Sequence, residues 1–131
     1  ELSDLSRINL TDNKDEIINK IKKAKTDTLP MPSKINELEK RLEVKNLIGI
    51  YSSLSGISIE KIIEEFSGKN FSEFKEKLSQ LTVDKIDPIS SEIKRLLNEK
   101  NYLEEILQTG SQKADEIASS KLKKIHEIVG F

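Results

Sequence analysis

Apolar residues recur every three or four positions along most of the chain, the spacing that lines one face of an α-helix. Ile17, Ile18, Ile21 and Ala24 make the first such stripe. Val44, Leu47, Ile48, Tyr51 and Leu54 make a second over Glu43–Leu54. Ile35, Leu38 and Leu42 are out of phase with it and predict a separate short turn before it. Ile59, Ile62, Ile63 and Phe66 predict a third helix. A long fourth stripe runs through Phe74, Leu78, Leu81, Ile89, Ile93, Leu96 and Leu97. A fifth helix is expected from Asn101. A sixth follows over 111–129, with Ala114, Ile117, Ala118, Leu122, Ile125 and Val129 turned inward. No segment repeats with a fixed period. The fold class is all-α, a helical bundle of about six helices.

End signals refine these spans. Asp12 is the expected N-cap of the first helix, its carboxylate accepting from first-turn N–H groups. Asp15 and Glu16 then suit the helix dipole, and Glu16–Lys20 is a favourable i,i+4 pair. Ser58 and Ser72 are expected to cap the third and fourth helices, and Asn101 with Glu104 has capping-box spacing for the fifth. Gly56, Gly68, Gly110 and Gly130 each stand where a helix should close. Pro88 deletes one backbone donor and crowds the turn around Asp84, which predicts a kink or break near Asp87. Residues 26–33, TDTLPMPS, hold two of the three prolines and read as a linker between packing units.

Residues 1–10 have no helical period, and Arg7–Leu10 alternate polar and apolar as a single strand would. A lone strand has no partner in a helical chain, so either it is not a strand or its sheet lies outside this sequence. If its sheet does lie outside, Ile8 and Leu10, with part of the Ile17–Ile18–Ile21 stripe, are expected to face it.

Composition narrows the chemistry. The chain has 131 residues, 22 Lys+Arg against 23 Asp+Glu, one His, no Cys and no Trp. Disulfides, thiolate nucleophiles, cysteine-held metals and multi-histidine sites are excluded. A net charge of −1 argues against a stand-alone nucleic-acid binder with a strong basic excess. No apolar run reaches the roughly 18 residues of a membrane span, and no secretory signal opens the sequence, so a soluble intracellular chain is expected.

No catalytic constellation emerges. His126 borders the Ile125 stripe and reads more plainly as a surface or half-packed histidine than as a catalytic one. Glu64–Glu65 and Glu104–Glu105 sit on solvent-side or boundary positions of amphipathic helices, where a solvated face is the plainer account. The glycines are scattered and form no phosphate loop. The lysines are more informative. Lys20, Lys22, Lys23 and Lys25 gather within two turns, and Lys113, Lys121, Lys123 and Lys124 gather near the end. Lysine at a helix C-terminus is expected without any ligand, so phosphate contact and plain dipole compensation both remain open for each cluster.

Whole blocks of the chain resemble a known family. DLSRINLTDNKDEIINKIKKAKTD is similar to the segment that follows the KMSKS signature in bacterial and mitochondrial tryptophanyl-tRNA synthetases. NLIGIYSSLSGISIEKIIEEFSGKNFSEFKEKL resembles their next stretch. The proline-interrupted DPISSEIKRLL and the closing ILQTGSQKADEIASSKLKKIHEIVGF follow in the same order. The HIGH and KMSKS signatures and the tryptophan pocket are absent; in the family they lie upstream. The resemblance therefore implies the C-terminal portion after the KMSKS loop, with the orphan strand left over from a missing Rossmann catalytic domain.

The implied organisation is a remnant of the catalytic domain's edge with a connecting helix in 1–25, a linker in 26–34, and a helical anticodon-binding domain in 35–131. The resemblance implies a parent that activates tryptophan with ATP, with magnesium, and attaches it to its tRNA as a homodimer. The parent's place is the cytoplasm or an organelle. The portion in hand is expected to be inactive by itself and to hold no cofactor or metal. Its partners would be tRNA for tryptophan and the missing catalytic domain, with no membrane involved. Lys113, Lys121 and Lys124, then Lys22 and Lys23, are the tRNA-binding candidates. The competing reading is a non-catalytic structural or partner-binding bundle whose lysines are merely solvated.

Overall fold

A computed structural model describes residues 4–130. Its regular structure is five α-helices and two 3₁₀ turns, with no strand among the described residues: α1 Lys14–Lys23, α2 Leu42–Ser55, α3 Ile59–Phe66, α4 Phe71–Asn98 and α5 Lys100–Val129, the 3₁₀ turns covering Asp4–Ser6 and Ile35–Lys40. The all-α expectation holds. Arg7–Leu10, expected to be strand-like, is irregular apart from the turn at Leu10. The expectations made for Glu1–Ser3 lie outside the described residues. Packing divides the chain into two units, one up to Ser91 and one from Glu92 onward, the boundary falling within α4.

The first unit has the core. Ile17 and Ile21 of α1, Val44, Leu47, Ile48 and Tyr51 of α2, Ile62, Ile63 and Phe66 of α3, and Phe74, Leu78 and Val83 of α4 are all buried together. At its centre the rings of Tyr51, Phe66 and Phe74 meet pairwise at centroid separations of 5.8, 5.7 and 5.1 Å, two of the three contacts edge-to-face. Such geometry adds to the area that the rings remove from water. Ile17 and Ile21 thus pack inside this unit, with Ile18 half-buried against it, although part of their stripe was expected to face a missing sheet. The α1 stripe finds its apolar partners within the chain.

The proline-rich segment is packed rather than loose. Met31 and Pro32 are fully buried. The Met31 N–H donates to the Lys69 carbonyl at 2.9 Å, and its own carbonyl accepts from Gly68 at 3.1 Å. Arg41 fixes the same segment by a two-pronged contact with Asp27, at 2.7 and 2.8 Å, and by donating to the Pro30 carbonyl.

Several helix ends differ from expectation. The N-cap of α1 is Asn13, not Asp12: Asn13 Oδ1 accepts from Glu16 N, and Glu16 Oε2 accepts from Asn13 N, a complete capping box. Asp12 is buried instead. Ser58 stands at the N-cap of α3 but makes no side-chain cap bond. The fourth helix begins at Phe71, which places Ser72 inside its first turn rather than at its cap. It runs unbroken through Pro88, so no break occurs at Asp87. Gly56 closes α2 with φ +73°, a left-handed conformation that glycine adopts without strain.

The second unit is different in kind. The predicted fifth and sixth helices are one, α5, which passes straight through Gly110. It begins at Lys100, so Asn101 is inside it rather than capping it. No residue of α5 is buried, and the stripe expected to face inward, Ile117, Leu122, Ile125 and Val129 among it, is exposed. Arg95, near the end of α4, bridges Glu92 and Glu99 at 2.7 Å each.

Candidate nucleic-acid interface

Lys113, Lys121 and Lys124 all project from α5 into solvent, and none has a carboxylate partner among the described residues. Helix geometry fixes their relation. Eleven residues separate Lys113 from Lys124, close to three full turns, so the two point the same way about 16 Å apart. Lys121 is about 12 Å from Lys113 along the axis, rotated toward the apolar side. It occupies a row made by Leu103, Leu107, Gly110, Ala114, Ala118, Ile125 and Val129, spaced by three or four residues. The cations of α5 therefore border and enter its exposed apolar stripe rather than opposing it.

The first lysine cluster is thinner than its sequence suggests. Lys20, 5% exposed, is buried. Its Nζ donates to Asp12 Oδ2 at 2.8 Å and sits 3.1 Å from Asp4 Oδ2. Those bonds hold the Lys20 ammonium charged beyond the ordinary lysine range. Lys25 faces Glu43 at 3.5 Å. Lys22 and Lys23 remain exposed without a carboxylate partner among the described residues.

Asp12 and Lys20 are the pair that periodicity misses. Burial by itself would raise the Asp12 carboxyl, but the Lys20 ammonium and both the backbone and side-chain N–H groups of Asn9 more than offset it, leaving it below the usual carboxylate range. The Asp12 carbonyl accepts from Ser90 Oγ of α4 at 3.0 Å. One residue thus joins the opening segment, α1 and α4. The available signal was the adjacency of two cap-competent residues, Asp12 and Asn13, of which only one can cap α1. Lys75 was also missed. Its ammonium donates to the Ala24 carbonyl at 2.6 Å and the Lys22 carbonyl at 3.3 Å, closing the C-terminus of α1.

The carboxylate pairs and the histidine do not line the cleft formed by Ile18, Lys22, Phe71 and Lys75. Glu65 pairs with Lys77 at 2.8 Å, and Glu64, Glu104, Glu105 and His126 are exposed. No group of three or more His, Cys, Asp or Glu among the described residues is placed to hold a metal ion. Among them, too, no helix is long and apolar enough to cross a membrane.

Comparison with known proteins finds relatives over nearly the whole chain. No family model matches the chain. Over 129 residues, 98% of this chain and 36% of the relative, it is 43% identical to the tryptophan–tRNA ligase of Mesorhizobium japonicum. The tryptophan–tRNA ligase of Rickettsia felis is 44% identical over 131 residues, all of this chain and 39% of the relative. That of Caulobacter vibrioides is 41% identical, with 38% of its length matched. All three relatives are tryptophan–tRNA ligases by name, and the chain spans a little over a third of their length.

Proposed function

We propose that this chain is the C-terminal, tRNA-binding portion of a tryptophan–tRNA ligase, with residues 35–131 serving the anticodon end. The observation that carries the reading is identity of 41–44% sustained over 98–100% of the chain to proteins of that name. The whole ligase activates tryptophan with ATP and magnesium and transfers it to tRNA as a homodimer in the cytoplasm or an organelle. The residues before α1 are the edge of its catalytic domain. ATP is not expected to bind this portion, because neither the HIGH nor the KMSKS signature occurs in its sequence. Chemistry belongs to the rest of the ligase.

The part played by this portion is physical. Anticodon bases are unstacked and can be read by side chains, while lysines hold the phosphates. A chain of net charge −1 can do this because its free cations are local: Lys113, Lys121 and Lys124 on α5, with Lys22 and Lys23 on α1. The 12 Å between Lys113 and Lys121 is about two phosphate spacings of a single strand. Replacing both by alanine should weaken binding to a tRNA-for-tryptophan transcript and flatten the salt dependence of log K by about 1.4, or ~0.7 for each lost contact. Helicity should be unchanged. An unaltered slope would remove α5 from the interface.

A further inference from the structure

Between α1 and α4 of the first unit lies an open cleft of about 640 Å³, lined by Lys22 on one side and by Phe71, Ser72, Lys75, Glu76 and Gln80 on the other. The volume is in the range of small-ligand sites. Its charge is unlike that of the chain as a whole, with two lysines against one glutamate. Lys22 is exposed and lacks a carboxylate partner among the described residues. Lys75 is half-buried, and among the described residues its ammonium bonds only to the carbonyls of Ala24 and Lys22. Burial pushes its ammonium below the ordinary lysine range, which a carboxylate partner would have offset. A partly desolvated cation without a counter-anion is what an incoming phosphate stabilises.

The cleft also offers contacts for a base. Phe71 is half-buried, and the Arg41 guanidinium lies over its ring, 5.6 Å from the centroid. Gln80 donates its amide N–H to Asp84 at 2.7 Å, which orients the group and leaves its carbonyl oxygen as an acceptor. An aromatic ring, a fixed amide and paired cations match an unpaired nucleotide better than a helical one, whose bases are stacked and closed.

We infer that this cleft takes one unpaired nucleotide of the tRNA, its phosphate against Lys22 and Lys75 and its base beside Phe71 and Gln80. The inference rests on the tRNA-binding reading and adds a contact independent of α5. Lys22→Glu and Lys23→Glu change net charge equally, yet only Lys22 lines the cleft. Titrated against a tRNA-for-tryptophan transcript with the full 131-residue chain, Lys22→Glu should weaken binding about tenfold and flatten the salt slope by ~0.7. Lys23→Glu should do markedly less, and circular dichroism should be unchanged in both. Gln80→Ala, which keeps every charge, should also weaken binding. Equal effects of the two charge reversals, with wild-type binding intact, would overturn the cleft but leave the tRNA reading standing. Absence of wild-type binding would overturn both. Displacement of the tRNA by inorganic phosphate at matched ionic strength would reduce the cleft to an anion site and overturn the nucleotide assignment.

Discussion

The two units have similar hydrophobic periodicity and opposite outcomes. In the first, the stripes of α1 to α4 converge on Tyr51, Phe66 and Phe74, and every large core side chain is shielded. In α5 the stripe is equally regular, yet Leu107 is 70% exposed and Ile128 85% exposed. Periodicity states which face of a helix is apolar; it does not state what covers that face. Stability should follow burial, and so should the effect of substitution.

The largest expected effect makes that contrast quantitative. Phe74→Ala should destabilise the first unit by about 4 kcal/mol, since it empties the centre of the aromatic cluster. Leu122→Ala, at an exposed α5 position, should stay within about 0.5 kcal/mol. Urea unfolding followed by circular dichroism measures both. A cost of several kcal/mol for Leu122→Ala would show that the α5 face is covered, and the contrast would fail.

Next in size is the buried pair. Asp12→Ala leaves Lys20 buried with only Asp4 for company and should cost about 3 kcal/mol, the low end for breaking a buried pair. The acid edge of stability depends on the same groups. Lys20 and Asn9 hold Asp4 below its ordinary value, Asp12 is net lowered as described, and the Arg41 guanidinium holds Asp27 down. A carboxyl whose folded value is depressed contributes stability above its unfolded value, near 4, and loses it as pH falls through the folded one. The melting temperature should therefore drop steeply below about pH 4. In Asp12→Asn that drop should be shallower. Lys20 works in the opposite direction: its contribution is present below the ordinary lysine value and is lost as pH rises through the elevated folded one.

The smallest effects come from glycine. A methyl group at Gly110 meets no atom within 4 Å, so Gly110→Ala should stabilise α5 by up to about 1 kcal/mol through helix propensity. Gly56→Ala should instead destabilise by about 1 kcal/mol, because φ +73° is left-handed. Helical ellipticity and melting temperature distinguish the two signs.

Much of this fold was legible in the chain. The limits of α2 and α3, the short turn over Ile35–Lys40 and the closure at Gly56 follow from apolar spacing and from the one residue that tolerates positive φ. Features set by distant partners were not legible. The choice of Asn13 over Asp12 as cap depends on Lys20 eight residues on and Ser90 in another helix. Gly110 and Pro88 carry local costs that sequence rules count as stops, yet α4 and α5 continue through both. The five lysine candidates are exposed, whereas Lys20, their neighbour in the first cluster, is held in an ion pair that sequence spacing cannot reveal. The cleft beside Lys22 needed the packing of α1 on α4, whose Lys22 and Lys75 are 53 positions apart.

The most direct test of the account is a titration of the chain with a tRNA-for-tryptophan transcript and with an unrelated tRNA, each at about 50 and 200 mM salt. The account predicts tighter binding of the tryptophan tRNA, with log K falling against log salt at a slope of about −1.4 or steeper. Undetectable binding, or affinity that neither salt nor the identity of the tRNA alters, would contradict it and leave a helical scaffold with solvated lysines.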